Sequence, residues 1–180
     1  MPQATKLALF QPVQVGRLNL HHRVVLCPLT RFRASQTNVP ILPVVKEYYT
    51  QRGSRAGTLL ITEATFIAEK AGGYANVPGI WSDEQIAAWK EIVSSVHAAN
   101  SFIYLQLWAL GRAAITSHLK SLNEAYDVTS SSDIPLSSRK SEKPRPLTIE
   151  EIHEYADLYA QAASNAVLKA GFDGVEMAGQ

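Results

Sequence analysis

The sequence holds a single cysteine, Cys27, so no disulfide can form within the chain, and this fits a reducing compartment. Neither sign of charge is in excess: 17 basic and 16 acidic residues leave a formal net charge of +1. That balance gives no argument for a nucleic-acid partner or an anionic membrane surface. No apolar run approaches the ~20 residues that a membrane-spanning helix needs. The first residues, Met1 to Lys6, carry no apolar signal-like core. These absences predict a soluble, cytoplasmic protein. There is also no G-x-G-x-x-G after a predicted strand, no Walker A sequence and no His/Cys set at metal-ligand spacing. A dinucleotide-binding sheet and a metal centre are therefore both disfavoured.

What is present is a chain of 180 residues, 46% hydrophobic, which is enough for one domain with a sizeable core. The stretch Val24-Val-Leu-Cys-Pro-Leu-Thr-Arg31 organises it. Val24 to Leu26 reads as a buried strand, with Cys27 packed inside it, and Pro28 ends the strand because proline cannot donate to a ladder. Thr30 and Arg31 then fall just past the strand's C-terminal end, where parallel β/α sheets bind ligands. A hydroxyl and a guanidinium there suit a polar ligand, and a capping role suits Thr30 equally.

Before that stretch, Leu9 to Leu20 reads as a hairpin turning at Gly16-Arg17, a shape that could plug the bottom of a barrel. After it comes a polar loop to Pro43, then a helix to Arg52 that Gly53 to Gly57 breaks. Thr58 to Phe66 reads as a second, nearly continuous buried strand. Glu63 near its end is either a site carboxylate or the partner of a buried base. Ser82 opens the next helix and Gln85 completes a capping box, with Ile86, Trp89, Val93 and Val96 on the buried face. His97, in the last turn, reads as structural. Phe102 to Trp108 is the third strand. Gln106 interrupts it, and a buried amide must find either a ligand or a neighbouring backbone.

Ala109 to Leu147 is the longest stretch without a periodic pattern, which points to a lid or to disorder. Thr148-Ile-Glu-Glu151 is a second capping box. It opens a helix whose buried face is Ile152, Tyr155, Tyr159, Ala162, Ala166 and Ala170, capped by Gly171. Phe172 to Ala178 is the fourth strand. The order is hairpin and then β-α-β-α-β-α-β, with strands apolar on both faces. This is an α/β fold with a parallel sheet and right-handed crossovers, part of a (β/α) barrel. It divides into the hairpin (1–22), the first three strands (23–108), the long loop (109–147) and the helix with the fourth strand (148–180).

At these residues a family resemblance enters. Leu9-Phe10 with Gly16, Arg23 to Ala34, Glu47 to Arg52, Leu60 to Ala64, Ala71 to Tyr74, Pro78 to Trp81, Gln106 to Trp108 and Gly171 to Glu176 occur in the family's order along nearly the whole chain. Together they resemble the Old Yellow Enzyme family, the FMN-dependent ene-reductases, and especially its fungal members. The resemblance implies the N-terminal half of a TIM barrel, with FMN at the C-terminal mouth and NAD(P)H as reductant. It implies small α,β-unsaturated carbonyl substrates whose C=C bond is reduced. Pro28, Leu29 and Thr30 are then expected to line the flavin ring, with the Thr30 hydroxyl on a ring carbonyl. Ala64 is expected to offer backbone contacts and Gln106 to meet the pyrimidine edge. Trp108 is expected to shape the substrate pocket, with core packing as its other reading.

The chain also departs from that pattern. Ala178 stands where the family has the first of two residues that hold the substrate carbonyl oxygen. The second of the pair, the proton-donating tyrosine, the basic residue beside the ring and the phosphate-binding loops are expected beyond Gln180. A complete barrel has eight strands. Four strands leave two open edges, so a homodimer or a complementing half-barrel is expected to close them, and a lone chain is not expected to bind FMN tightly. Three outcomes are consistent with this. The chain is half of a reductase, or a self-assembling half-barrel with a non-redox role (isomerase-like or binding) in a fungal biosynthetic pathway, or an inactive remnant.

Overall fold

Short apolar runs form the strands of this chain, and the amphipathic helices between them carry it back to start each next strand beside the last. The computed structural model describes residues 7–178. Met1 to Lys6, predicted to lack a signal-like core, and the final Gly179 and Gln180 lie outside the described residues. A hairpin comes first: β1 (Val13–Val15) pairs antiparallel with β2 (Leu18–Leu20) across the Gly16-Arg17 turn. Then follow β3 (Val25–Leu26), α1 (Val44–Arg52), β4 (Leu59–Ile61), β5 (Thr65–Phe66), α2 (Asp83–Ala98) and β6 (Phe102–Trp108). The next segment holds α3 (Thr116–Leu122) and a small parallel pair, β7 (Thr129–Ser130) with β8 (Arg145–Pro146). Last come α4 (Ile149–Ser164), a π-helical continuation (Asn165–Ala170) and β9 (Gly174–Met177).

The main sheet is parallel throughout. β3 pairs with β4, β4 and β5 pair with β6, and β6 pairs with β9. Neighbours in the sheet follow chain order, as in a singly wound barrel. One face packs on the helices: Leu60, Ile103, Leu105 and Leu107 join Trp89, Ile92, Val96, Tyr49 and Phe172 in the largest core cluster. Along β6, Ile103, Leu105 and Leu107 are buried, whereas Phe102, Tyr104, Gln106 and Trp108 are half-buried on the other, inner face. The strands were expected to be apolar on both faces, but β6 alternates, because helices cover only one side. The hairpin leucines Leu18 and Leu20 pack with Leu59, Phe102 and Tyr104, closing the inner face at the N-terminal end of the strands. That is the position expected for a plug.

Both predicted capping boxes form. The Ser82 hydroxyl accepts from the Gln85 N–H and the Gln85 side chain accepts from the Ser82 N–H. Thr148 and Glu151 repeat the arrangement. His97 is structural as read: its Nε2 lies 2.9 Å from Asp173 Oδ2, which also accepts from the Ile103 N–H.

Four expectations need correction. The first predicted strand is short, and Val24 and Val25 are 45% and 38% exposed. Cys27 is exposed rather than packed. The cause is topological: β3 is hydrogen-bonded on one side only, so its outward residues meet no neighbouring strand. Second, Thr58 to Phe66 is not continuous. Ile61 stands opposite Tyr104 and Thr65 opposite Leu107, so four steps along one strand match three along the other. This is a β-bulge at Thr62, Glu63 and Ala64. Third, Ile152 is 53% exposed, because the first turn of α4 makes no contact with the core and packing begins at Tyr155. Fourth, Ala109 to Leu147 is not irregular throughout. Leu110, Ala114, Leu119 and Val128 pack with Phe66 and Val77 in a second core cluster.

Candidate functional site

Ala64 and Gln106, both singled out in the sequence, are brought together near the C-terminal ends of the strands by the register of the sheet. Leu26 stands opposite Leu60 and Leu60 opposite Ile103. Thr30 and Ala64 each lie four positions further on. Gln106 lies three further on, and the bulge makes up the difference. Ala64 and Gln106 therefore sit level, one step before the Thr65–Leu107 pair, and Thr30 lies in the loop after β3, whose Arg31 amide bonds to Glu63 beside them. Gln106 is on the inner face, and Glu176, directly opposite it on β9, shares that face.

The bulge is stabilised by side chains instead of a ladder. The Glu63 N–H donates to the Tyr49 hydroxyl at 2.9 Å. Its carbonyl accepts from the Thr62 and Thr65 hydroxyls at 2.9 and 3.0 Å, and Thr62 Oγ1 also accepts from the Gln106 N–H at 3.1 Å. Ala64 differs from these neighbours. It is buried, yet neither its N–H nor its C=O has a hydrogen-bond partner among the described residues. A buried backbone group without a partner is rare in a finished fold, so this one suits a ligand.

The Thr30 hydroxyl likewise has no partner among the described residues, and no helix follows that it could cap. The capping reading of Thr30 therefore falls. Pro28 is half-buried beside it, and Leu29 is 45% exposed. Half-buried Gln106 finds a partner outside the two expected of it: its Nε2 donates to the Glu176 side chain, to Oε2 at 3.0 Å. The signal for that partner was one polar residue in each of two apolar strands that pair in parallel. Trp108 stacks on Phe66, its register partner, with ring centroids 5.4 Å apart, and Tyr74 meets its edge at 6.1 Å. It thus joins the mouth to the segment that covers it, while staying half-buried.

Glu63 has no buried base as its partner among the described residues. It is 2% exposed, and its Oε2 accepts from the backbone N–H of Arg31 at 2.9 Å. No salt bridge reaches it among the described residues. Burial pushes its carboxyl up, while the Arg31 amide and the Arg31 and Arg33 charges pull it back. Burial also pushes the Tyr49 phenol well up, with the Glu63 charge adding to that. The Arg31 guanidinium does not belong to the polar mouth. It lies over the Tyr48 ring at 5.4 Å, alongside Arg33 and Arg52 at 5.9 and 3.6 Å. Ala178, the position of the departure, donates its N–H to the Leu107 carbonyl and has no side chain that can bind an oxygen.

No helix among the described residues is long and apolar enough to cross a membrane. Comparison with known proteins agrees with this architecture. The NADP-dependent oxidoreductase lnbE of Aspergillus flavus is 58% identical over 95% of the chain and 44% of its own length. A probable inactive reductase, easA of Epichloe festucae var. lolii, is 56% identical over 95% of the chain and 44% of its own length. The crystal structure of Old Yellow Enzyme from a Pichia species superposes with a TM-score of 0.88 at 40% identity, over 94% of this chain and 45% of that one. The chain thus spans about half the length of the curated relatives it matches. Because the sequence pattern of the NADH:flavin oxidoreductase / NADH oxidase family matches residues 8–180, the chain belongs to that family.

Proposed function

We propose that this chain provides the flavin-ring half of an FMN-dependent reductase site, which uses NAD(P)H to reduce the C=C bond of small α,β-unsaturated carbonyl compounds. One observation carries the reading. The Thr30 hydroxyl and the Ala64 backbone have no partner among the described residues, Ala64 is level with the Gln106 amide, and the Arg31 amide ties the Thr30 segment to Glu63 beside them. Together they offer donors and acceptors, which fits the carbonyl and N–H edge of a flavin ring. In this reading Pro28 and Leu29 pack on the ring, Thr30 donates to a ring carbonyl, and Ala64 supplies a backbone contact. Gln106, steadied by Glu176, meets the pyrimidine edge. Trp108, braced by Phe66 and Tyr74, walls the substrate pocket and keeps water from it. When bound, FMN supplies the hydride chemistry between the nicotinamide and the substrate.

The reading includes assembly. A second copy, or a complementing half-barrel, covers the inner face and supplies the remaining contacts. The test is the visible spectrum of the purified chain after incubation with FMN and desalting. A retained flavin band is expected if copies of the chain complete the site. NADPH oxidation with an enone then follows. A colourless protein sinks independent reductase activity.

A second reading has its own support. Ala178 leaves no side chain to hold a carbonyl oxygen where the family has one, and a relative at 56% identity is named a probable inactive reductase. In that reading the half-barrel binds its small molecule without redox chemistry. Flavin retention without enone-dependent NADPH oxidation is the result that favours it.

A further inference from the structure

The bond between Glu63 and Arg31 has a consequence for the mouth. An acid buried at 2% exposure in the middle of a parallel sheet is costly, and here its carboxylate oxygen has one described hydrogen bond, to a backbone amide 32 residues away in sequence. That amide lies directly after Pro28-Leu29-Thr30. The residue after it, Phe32, has φ +52° and is 56% exposed. A bulky side chain in the left-handed region persists only where its surroundings hold it there. Among the described residues, the other hydrogen bonds of that loop begin later, where Ala34 donates to the Asn76 carbonyl and Ile41 to the Arg33 carbonyl. Between the end of β3 and Ala34, the Glu63 carboxylate is the one hydrogen-bond tie to the sheet among the described residues, beside the Arg31 and Arg33 guanidiniums over the Tyr48 ring of α1.

We propose that Glu63 is a positioning residue. Its carboxylate latches the Arg31 amide and so holds the Thr30 segment beside Ala64. The bulge makes this possible, because it turns the Glu63 carboxylate toward the neighbouring loop while Tyr49 fixes the Glu63 backbone. The carboxylate is the stronger acceptor, since a charged acceptor strengthens the bond to a backbone N–H. Its part in flavin binding rests on the functional reading above. The latch itself does not, and it can be tested without flavin.

Trypsin cuts after arginine, and Arg31 is exposed, so cleavage between Arg31 and Phe32 reports on the loop. Arg55, exposed in a different loop, is the internal control. Glu63→Ala is expected to raise cleavage after Arg31 at least tenfold and to leave cleavage after Arg55 unchanged. Glu63→Gln keeps an oxygen acceptor in place and is expected to restore the wild-type rate. The proposal is overturned if Glu63→Ala cuts no faster after Arg31, if Glu63→Gln cuts as fast as Glu63→Ala, or if cleavage rises equally after Arg55. Should Glu63→Ala fail to fold, amide hydrogen exchange of the unmodified chain decides. Arg31 is expected to exchange at least tenfold more slowly than Leu29 and Thr30, and equal rates overturn the latch. Flavin retention is read separately in Glu63→Gln and the unmodified chain. Loss of flavin from both, with the Arg31 loop still protected, counts against the functional reading alone.

Discussion

At Glu63, burial and hydrogen bonding pull the carboxyl in opposite directions, and burial is the larger. Its folded-state value is therefore raised above the unfolded one. The sign of the linkage follows: the folded chain binds this proton more readily than the unfolded chain does. Below the ordinary carboxylate range both states are protonated and no penalty remains. As pH rises through the raised value, the folded state has to hold a desolvated charge, and stability falls. Glu63→Gln removes that charge and keeps an acceptor for the Arg31 N–H. It is expected to stabilise the chain at pH 7, and the gain is expected to shrink steadily as pH falls toward the carboxylate range. Urea midpoints for both proteins across that pH range check this, and a gain independent of pH refutes it. Glu151 is the opposite case on the surface. The Arg145 guanidinium and the Thr148 amide pull its carboxyl down to about 2, so its favourable contribution is full above the ordinary carboxylate range and is lost progressively as pH falls toward that lowered value.

The elements differ in how far local sequence dictates them. α2 and α4 start where Ser82 and Thr148 say they must, because a capping box is complete within four residues. Their buried stripes follow from helical spacing, apart from Ile152, whose turn makes no contact with the core. The bulge was not legible. Thr58 to Phe66 is all β-branched or apolar around Glu63, and only the pairing with β6 reveals the additional residue. The same holds for the exposure of Val24, Val25 and Cys27, which depends on a neighbour that β3 does not have. Thr30, Ala64 and Gln106 were readable as individual residues, but the shared level of Ala64 and Gln106 was not. Nor was the order within Ala109 to Leu147, which comes from contacts made far along the chain. Gly73 shows how tightly that segment is seated. Its φ is +136°, and an added Cβ would lie 2.4 Å from the Ala114 Cβ and 2.8 Å from its Cα. The two nearest atoms belong to the stem of Ala114 and not to a flexible side-chain end, so Gly73→Ala is expected to cost about 2 kcal/mol. The displaced segment would also lose its seat on the Trp108 cluster. Thermal unfolding followed by tryptophan fluorescence reports both effects, and an unchanged midpoint contradicts this account of the seat.

For the whole molecule, the governing fact is that, among the described residues, β3 and β9 each pair on one side only, with an inner face half-buried between them. Exposed backbone at parallel edges is a template for further strands. A rotation of one copy about the axis of the incipient barrel preserves strand direction, so β9 of one copy can meet β3 of the other in parallel, twice over. Eight strands result, which is the number that closes such a barrel. If copies of this chain do close one another, Val25 lies in the seam. It is 38% exposed in β3, next to the unpaired edge. A lysine there keeps the β3–β4 pairing but puts a charge against the incoming strand, which is how natural edge strands discourage pairing. Sedimentation velocity of the unmodified chain is then expected to show a species that grows toward twice 19.7 kDa as concentration rises. Val25→Lys is expected to remain at the monomer mass, with its circular dichroism unchanged. A monomer at every concentration in the unmodified chain rules out self-closure. The edges would then await a different half-barrel, and flavin retention by the chain alone would have to fail with it.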